Sequence, residues 1–104
     1  EILRADVQQH LRFLQRELGY RAIRFHATFH EELGVVERAA DGSLVFNWTL
    51  VDKVYDFLVE IGFDPIVELN PMPACMASGE KTFFHFKMNI TPPRLMAEWE
   101  HLVA

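Results

Sequence analysis

Apolar residues at the amino end recur every three or four positions: Leu3, Val7, Leu11, Leu14 and Leu18, with Arg4, Gln8, Arg12, Gln15 and Arg16 between them. That spacing predicts an amphipathic helix, with Gly19 in the C-cap position. The period then changes from helical to two. Ile23, Phe25, Ala27 and Phe29 alternate with Arg24, His26, Thr28 and His30, which predicts a strand over residues 22–29 with one apolar face and one carrying an arginine and a histidine. Residues 35–38 and 43–46 flank Ala39-Ala40-Asp41-Gly42, a turn-rich segment expected to close a short hairpin inside a long loop.

Asn47 is expected to cap a second helix. Val51, Val54, Tyr55, Leu58 and Ile61 form its buried stripe, Asp52, Lys53, Asp56 and Glu60 its wet face, and Gly62 its end. A second strand is predicted over residues 65–70, with Ile66, Glu68 and Asn70 on one face and Val67 and Leu69 on the other. A long stretch, residues 71–90, carries Phe83, Phe84 and Phe86. Thr91 is then expected to cap a third helix with Pro92 near its first position, its buried side being Leu95, Met96, Trp99, Leu102 and Val103.

Helix, strand, helix, strand, helix is the order of βα units around a parallel sheet, the α/β class. A (β/α)8 barrel typically takes about 250 residues. The expectation is therefore an incomplete barrel: residues 1–104 as one partial domain, the amino-terminal portion of a larger fold, with no internal boundary. The loops after each strand then lie at the strands' carboxyl ends, the active-site face of such barrels.

A strand flanked by helices is normally buried on both faces, and a buried charge is costly unless paired. Arg24 and His26 therefore need partners, and Glu68 on the second strand is the candidate for Arg24. Half of the residues are hydrophobic, enough for a core. A net charge of −5 argues against nucleic acid as a partner. No apolar run is long enough to span a bilayer, so no membrane partner is expected. Cys75 is the only cysteine; it fits a reducing cytoplasm and reads as an inert small residue. His26 and His30, with the acids after them, lack the helical His-Glu-x-x-His spacing of a metal site. No metal and no cofactor are expected.

Ile23-Arg24-Phe25-His26 followed by Phe29-His30-Glu31-Glu32-Leu33-Gly34-Val35 resembles the second strand and loop of glycoside hydrolase family 39, the β-xylosidase and α-L-iduronidase family. The likeness continues collinearly through Val45-Phe46-Asn47-Trp48, Val54-Tyr55-Asp56-Phe57-Leu58, Pro65-Ile66-Val67-Glu68-Leu69, Met72-Pro73, Ala77-Ser78-Gly79-Glu80-Lys81-Thr82 and Asn89-Ile90-Thr91-Pro92-Pro93. It is nearest to the bacterial β-xylosidase branch. Two departures stand out: Ala27 where glycine is expected, and Asn70-Pro71 where small or aromatic residues are usual.

The resemblance implies a retaining glycosidase acting on β-xylosides or xylo-oligosaccharides, whose two catalytic carboxyl groups sit about 5–5.5 Å apart. It places the acid/base glutamate in an Asn-Glu-Pro motif after a fourth strand and the nucleophile on a seventh. Asn-Glu-Pro does not occur in this sequence, so no catalytic residue is expected in this segment, which alone is expected to be inactive. What the resemblance does imply here is support: Arg24, with Glu68, holding the nucleophilic carboxylate, and His26 touching the bound sugar. His30, Phe84 and His85 are further candidates for sugar contact, since sugars stack on aromatic faces. Phe83 and Phe84 can equally pack the loop down. A homo-oligomer of the parent protein is left open. The alternative is a non-catalytic carbohydrate-binding module or an inactive barrel relative.

Overall fold

The computed structural model describes residues 1–104. Helix α1 spans Ala5–Leu18 and ends at Gly19, whose φ of 66° is left-handed and whose N–H bonds the Gln15 carbonyl. Glycine adopts that conformation without a Cβ clash. Strand β1 is only Ala22–Arg24. A 3-10 turn at Glu31–Leu33 follows, then β2 (Val36–Arg38) and β3 (Leu44–Phe46), paired antiparallel as the expected hairpin. Asp41 Oδ1 accepts from both the N–H and the hydroxyl of Ser43, and Gly42 takes φ 88°, so the turn residues tighten the hairpin as anticipated.

Helix α2 spans Thr49–Glu60. Asn47 Oδ1 accepts the N–H of Thr49 at 3.1 Å, but the N-cap position falls one residue on, at Trp48, whose side chain makes no capping bond. Gly62 ends the helix with φ 95°. Strand β4 (Asp64–Ile66) pairs parallel with β1 in the register Ala22↔Asp64, Ile23↔Pro65, Arg24↔Ile66. A second hairpin, β5 (Thr82–Phe83) and β6 (Met88–Asn89), and helix α3 (Met96–Val103) complete the chain.

Helix α2 separates two apolar cores. On one side Val54, Phe57, Leu58 and Phe63 are buried, with Leu11, Ile23 and Phe25 packed against them. On the other Val51 joins Phe29, Val35, Val36, Met76 and Leu102. Tyr55 touches both. Phe57, absent from the expected stripe, is buried under the Arg12 guanidinium, 4.8 Å from its ring centre, which ties α1 to α2. Leu58 is fully buried, and its truncation to alanine is expected to cost about 2–5 kcal/mol.

Several expectations need correction. The strand predicted over 22–29 ends at Arg24, because Ala27 takes φ 74° and turns the chain. Thr28 is consequently buried, its hydroxyl bonded to Tyr55 Oη at 3.0 Å, rather than lying on the Arg24–His26 face. The strand predicted over 65–70 stops at Ile66; Val67 and Leu69 are exposed. Thr91 caps no helix. Its hydroxyl accepts the Gly79 N–H and gives its one proton to Asn89 Oδ1, the nearer of two acceptors within reach, Pro93 bridges Ala77, and α3 begins five residues on, at Met96. Residues preceding proline avoid the helical region, so Thr91-Pro92-Pro93 stays extended. On α3 only Leu102 is buried and Trp99 is half-buried; Leu95, Met96 and Val103 are exposed, as are Leu3 and Leu18 at the ends of the α1 stripe. The strands form three separate two-stranded sheets, and no barrel closes.

Candidate active-site face

Parallel pairing sets the carboxyl ends of β1 and β4 side by side, so the residues that follow them meet. Glu68 is the centre. Its Oε1 lies 3.1 Å from Arg24 Nε, and its Oε2 lies 2.6 Å from His26 Nδ1 and 3.0 Å from Asn70 Nδ2. A carboxylate only accepts hydrogen bonds, so His26 donates from Nδ1 and its Nε2 is the free nitrogen. The His26 bond, helped by Asn70 and the Arg24 charge and opposed by partial burial, holds the Glu68 carboxyl below its ordinary range.

Exposure across this cluster is uneven. The Glu68 side chain is 18% exposed, whereas Arg24 is 60% and His26 58% exposed. The pairing expected from the alternation is present, yet the charge expected in an interior is largely open to solvent. Arg24 makes no ion pair other than the one with Glu68.

Asn70 organises the turn beneath. Its Oδ1 accepts the Ala27 N–H at 2.8 Å, its Nδ2 donates to Glu68, and its carbonyl accepts the Phe29 N–H at 2.8 Å. The sequence placed Asn70 on the Glu68 face but assigned it no role. His30 caps the 3-10 turn at Glu31–Leu33. Its Nδ1 accepts the N–H of Glu32 at 3.3 Å, which leaves Nε2 to donate to the Phe86 carbonyl at 2.8 Å.

A cleft of about 680 Å³ opens on this face, lined among others by Phe25, His26, Ala27, His30, His85 and Phe86. Three of the expected sugar-contact residues, His26, His30 and His85, thus meet at one cleft. Phe84 does not line it; it packs tilted against Phe83 (ring centres 4.0 Å) and stacks on Phe86 (5.4 Å) at the exposed tip of the β5–β6 hairpin. Arg24 and Glu68 stand outside the cleft lining. No cluster of three or more histidine, cysteine or acidic side chains gathers for a metal.

One ionic group was not anticipated. Arg38 meets Glu98 in a bidentate pair, both contacts 2.9 Å, and also donates to the carbonyls of Cys75 and Gly42. The pair lowers the Glu98 carboxyl and raises the Arg38 guanidinium from their ordinary values. The sequence offers no signal for it, because the partners are 60 positions apart on elements of different period.

Fold and site together define an α/β segment whose ionisable groups gather at the carboxyl ends of parallel strands. The chain belongs to glycosyl hydrolase family 39, whose model (Glycosyl hydrolases family 39) matches residues 1–104. A beta-xylosidase from Caldicellulosiruptor saccharolyticus is 45% identical over 101 residues, which are 97% of this chain and 21% of that protein. A beta-xylosidase from Geobacillus stearothermophilus is 32% identical over 104 residues, with the same shares. Among solved structures, a monomeric beta-xylosidase from Caulobacter crescentus CB15 superposes with a TM-score of 0.90 at 39% identity, covering 98% of this chain and 20% of that one. A GH39 enzyme from Xanthomonas axonopodis pv. citri also scores 0.90, at 42% identity and the same coverage. The chain therefore spans about a fifth of the length of the relatives it matches.

Proposed function

We propose that these residues are the amino-terminal portion of a (β/α)8 barrel in a longer protein, a retaining glycosidase acting on β-xylosides. The observation that carries this is the clamp on Glu68. A carboxylate that accepts from His26 and Asn70 and is paired with the Arg24 charge fixes His26 and Arg24 at the strand ends, while His26 Nε2 and the Arg24 N–H groups stay free to bond something else. The relatives' printed activity, beta-xylosidase, supplies the substrate class.

In this reading Arg24, steadied by Glu68, directs its remaining N–H groups at the nucleophilic carboxylate and keeps that group ionised. His26 Nε2 reaches a hydroxyl of the sugar bound beside it. His85 and Phe86 wall the cleft, and Phe84 backs Phe86 by stacking. The nucleophile and acid/base glutamates come from elements beyond these residues. No cofactor enters the scheme.

The test uses the full-length parent protein and an aryl β-D-xyloside, with the first-formed sugar anomer read by NMR. Turnover with retention is expected. Sugar binding with no turnover would replace this reading with the non-catalytic alternative. The 104-residue chain alone is expected to show no turnover, since losing both carboxylates costs many orders of magnitude in rate. It is also expected to self-associate in dilute solution, because Ile66, Val67 and Leu69 lie exposed at and beyond an unpaired strand edge.

A further inference from the structure

Both ring nitrogens of His30 are committed within the protein. Nδ1 accepts the Glu32 N–H, which fixes the tautomer, and Nε2–H donates to the carbonyl of Phe86, 56 residues away. That carbonyl belongs to the four-residue loop Phe84-His85-Phe86-Lys87, between the two-residue strands β5 and β6. So short a ladder does little to fix where its tip points. Phe84 and Lys87 take φ of 61° and 55°, conformations side chains rarely adopt, and the loop is closed by the bond from the Lys87 N–H to the Phe84 carbonyl. Phe83, Phe84 and Phe86 are all exposed. No other side-chain hydrogen bond reaches a residue of the loop. The tip nevertheless supplies His85 and Phe86 to the wall of the 680 Å³ cleft, which His26 also lines.

We infer that His30 is a positioning residue: it latches the aromatic hairpin tip so that His85 and Phe86 stand at the sugar cleft, and it does not contact the sugar itself. The inference rests on the reading of that cleft as a glycoside site. Its physical content is that the latch sets how well the ligand is held and has little influence on the bond-breaking step.

The experiment is done on the full-length parent enzyme with an aryl β-D-xyloside, alongside amide hydrogen exchange of residues 82–90. His30→Ala is expected to raise KM about 5–10-fold, the worth of one neutral hydrogen bond, while kcat stays within about 2-fold. The Lys87 and Ile90 amides, bonded to Phe84 and Lys81 carbonyls, are expected to exchange faster. His30→Gln, which keeps a donor at the reach of Nε2, should restore KM and protection. His30→Asn, which keeps only the nearer acceptor, should behave as alanine does. In a background of His85→Ala with Phe86→Ala, His30→Ala should add nothing to KM. The latch is overturned if exchange in the hairpin does not change in His30→Ala. It is also overturned if the full KM effect persists without the tip, meaning direct sugar contact, or if Asn rescues where Gln fails, meaning the ring only caps the turn at Glu32. Should the parent hydrolyse no xyloside, the functional reading fails, and the exchange data still decide the latch.

Discussion

Two arginine–glutamate pairs in this chain are built differently. Arg38 donates five hydrogen bonds, two to Glu98 and three to the carbonyls of Gly42 and Cys75, which accounts for every N–H of a guanidinium. Its side chain is 29% exposed and Glu98's 19%, and the pair ties the β2–β3 hairpin and the 75 loop to α3. Arg24, in contrast, touches Glu68 at one atom and is 60% exposed, although Glu68 is as sheltered as Glu98. The first pair is closed and holds segments together. The second is closed only on the carboxylate side, and its arginine keeps donors to spare. Unused hydrogen-bonding capacity at a fixed position is what a binding site needs and what a structural tie lacks.

The largest expected effect crosses the two clusters. In the parent enzyme, His26→Ala should lower kcat/KM about 10–100-fold, the range for a hydrogen bond involving a charged group, with little change in melting temperature. Arg38→Ala should do the reverse, lowering the melting temperature by several degrees and leaving activity per folded molecule intact. If His26→Ala unfolds the protein while folded molecules stay active, the open cluster is structural after all. Arg24→Lys comes next. It keeps the charge but loses the planar fork, so kcat should fall about 10-fold with stability nearly unchanged; equal activity would show that charge alone suffices. Because Arg24 is open to solvent here, the stability loss expected of a buried pair is not expected of it.

Acid should separate the clusters more gently. Glu98 and Glu68 both have carboxyls held below the ordinary 4.5 by their partners. A carboxylate depressed in the folded state contributes stability that is complete above its unfolded value and is lost as pH falls through its folded value. Thermal melts should therefore weaken below about pH 4.5. Glu98→Gln should flatten part of that acid slope, leaving the shares of Glu68, Asp6 and Asp41, whose carboxyls are also lowered. An unchanged slope would mean that the bidentate pair survives unfolding. The smallest effect concerns the turn at φ 74°. Ala27→Gly removes about 1–2 kcal/mol of left-handed strain and returns about 0.4–1 kcal/mol through the freer unfolded chain, a slight net gain in a denaturant melt. Ala27→Val should lose stability.

The closed and open pairs also differ in how far the sequence disclosed them. Alternation along residues 22–29 and 65–70 put Arg24 and Glu68 on facing strands, and their contact follows from parallel pairing. Arg38 and Glu98 carry no periodic signal that would link them. Elements with their own punctuation were readable: α1 with Gly19, α2 with Gly62 and, one residue early, Asn47, the hairpin with Asp41-Gly42. The β5–β6 hairpin was not, because Phe84 and Lys87 hold positive φ where glycine or asparagine would have marked a turn. Thr91-Pro92 imitated a helix start, but its hydroxyl is spent on Gly79 and Asn89. Within the site, the His26–Glu68 bond and the part played by Asn70 depend on the bend at Ala27, which alternation alone does not show.

Ala27 and Asn70 belong to the two departures expected from the resemblance, Ala27 and Asn70-Pro71, and they touch. The Asn70 amide oxygen receives the Ala27 N–H, while its amide nitrogen steadies Glu68. An amide side chain of that reach both accepts from the backbone and donates to the carboxylate, whereas aspartate would set a second negative charge against Glu68. In genetic terms the two positions are epistatic. Glycine at 27 should be tolerated in either background, whereas alanine at 27 should depend on asparagine at 70. A library randomised at both sites and selected for xyloside hydrolysis in the parent would then return alanine at 27 mostly in company with asparagine at 70, and independent recovery of the two would dissolve the link.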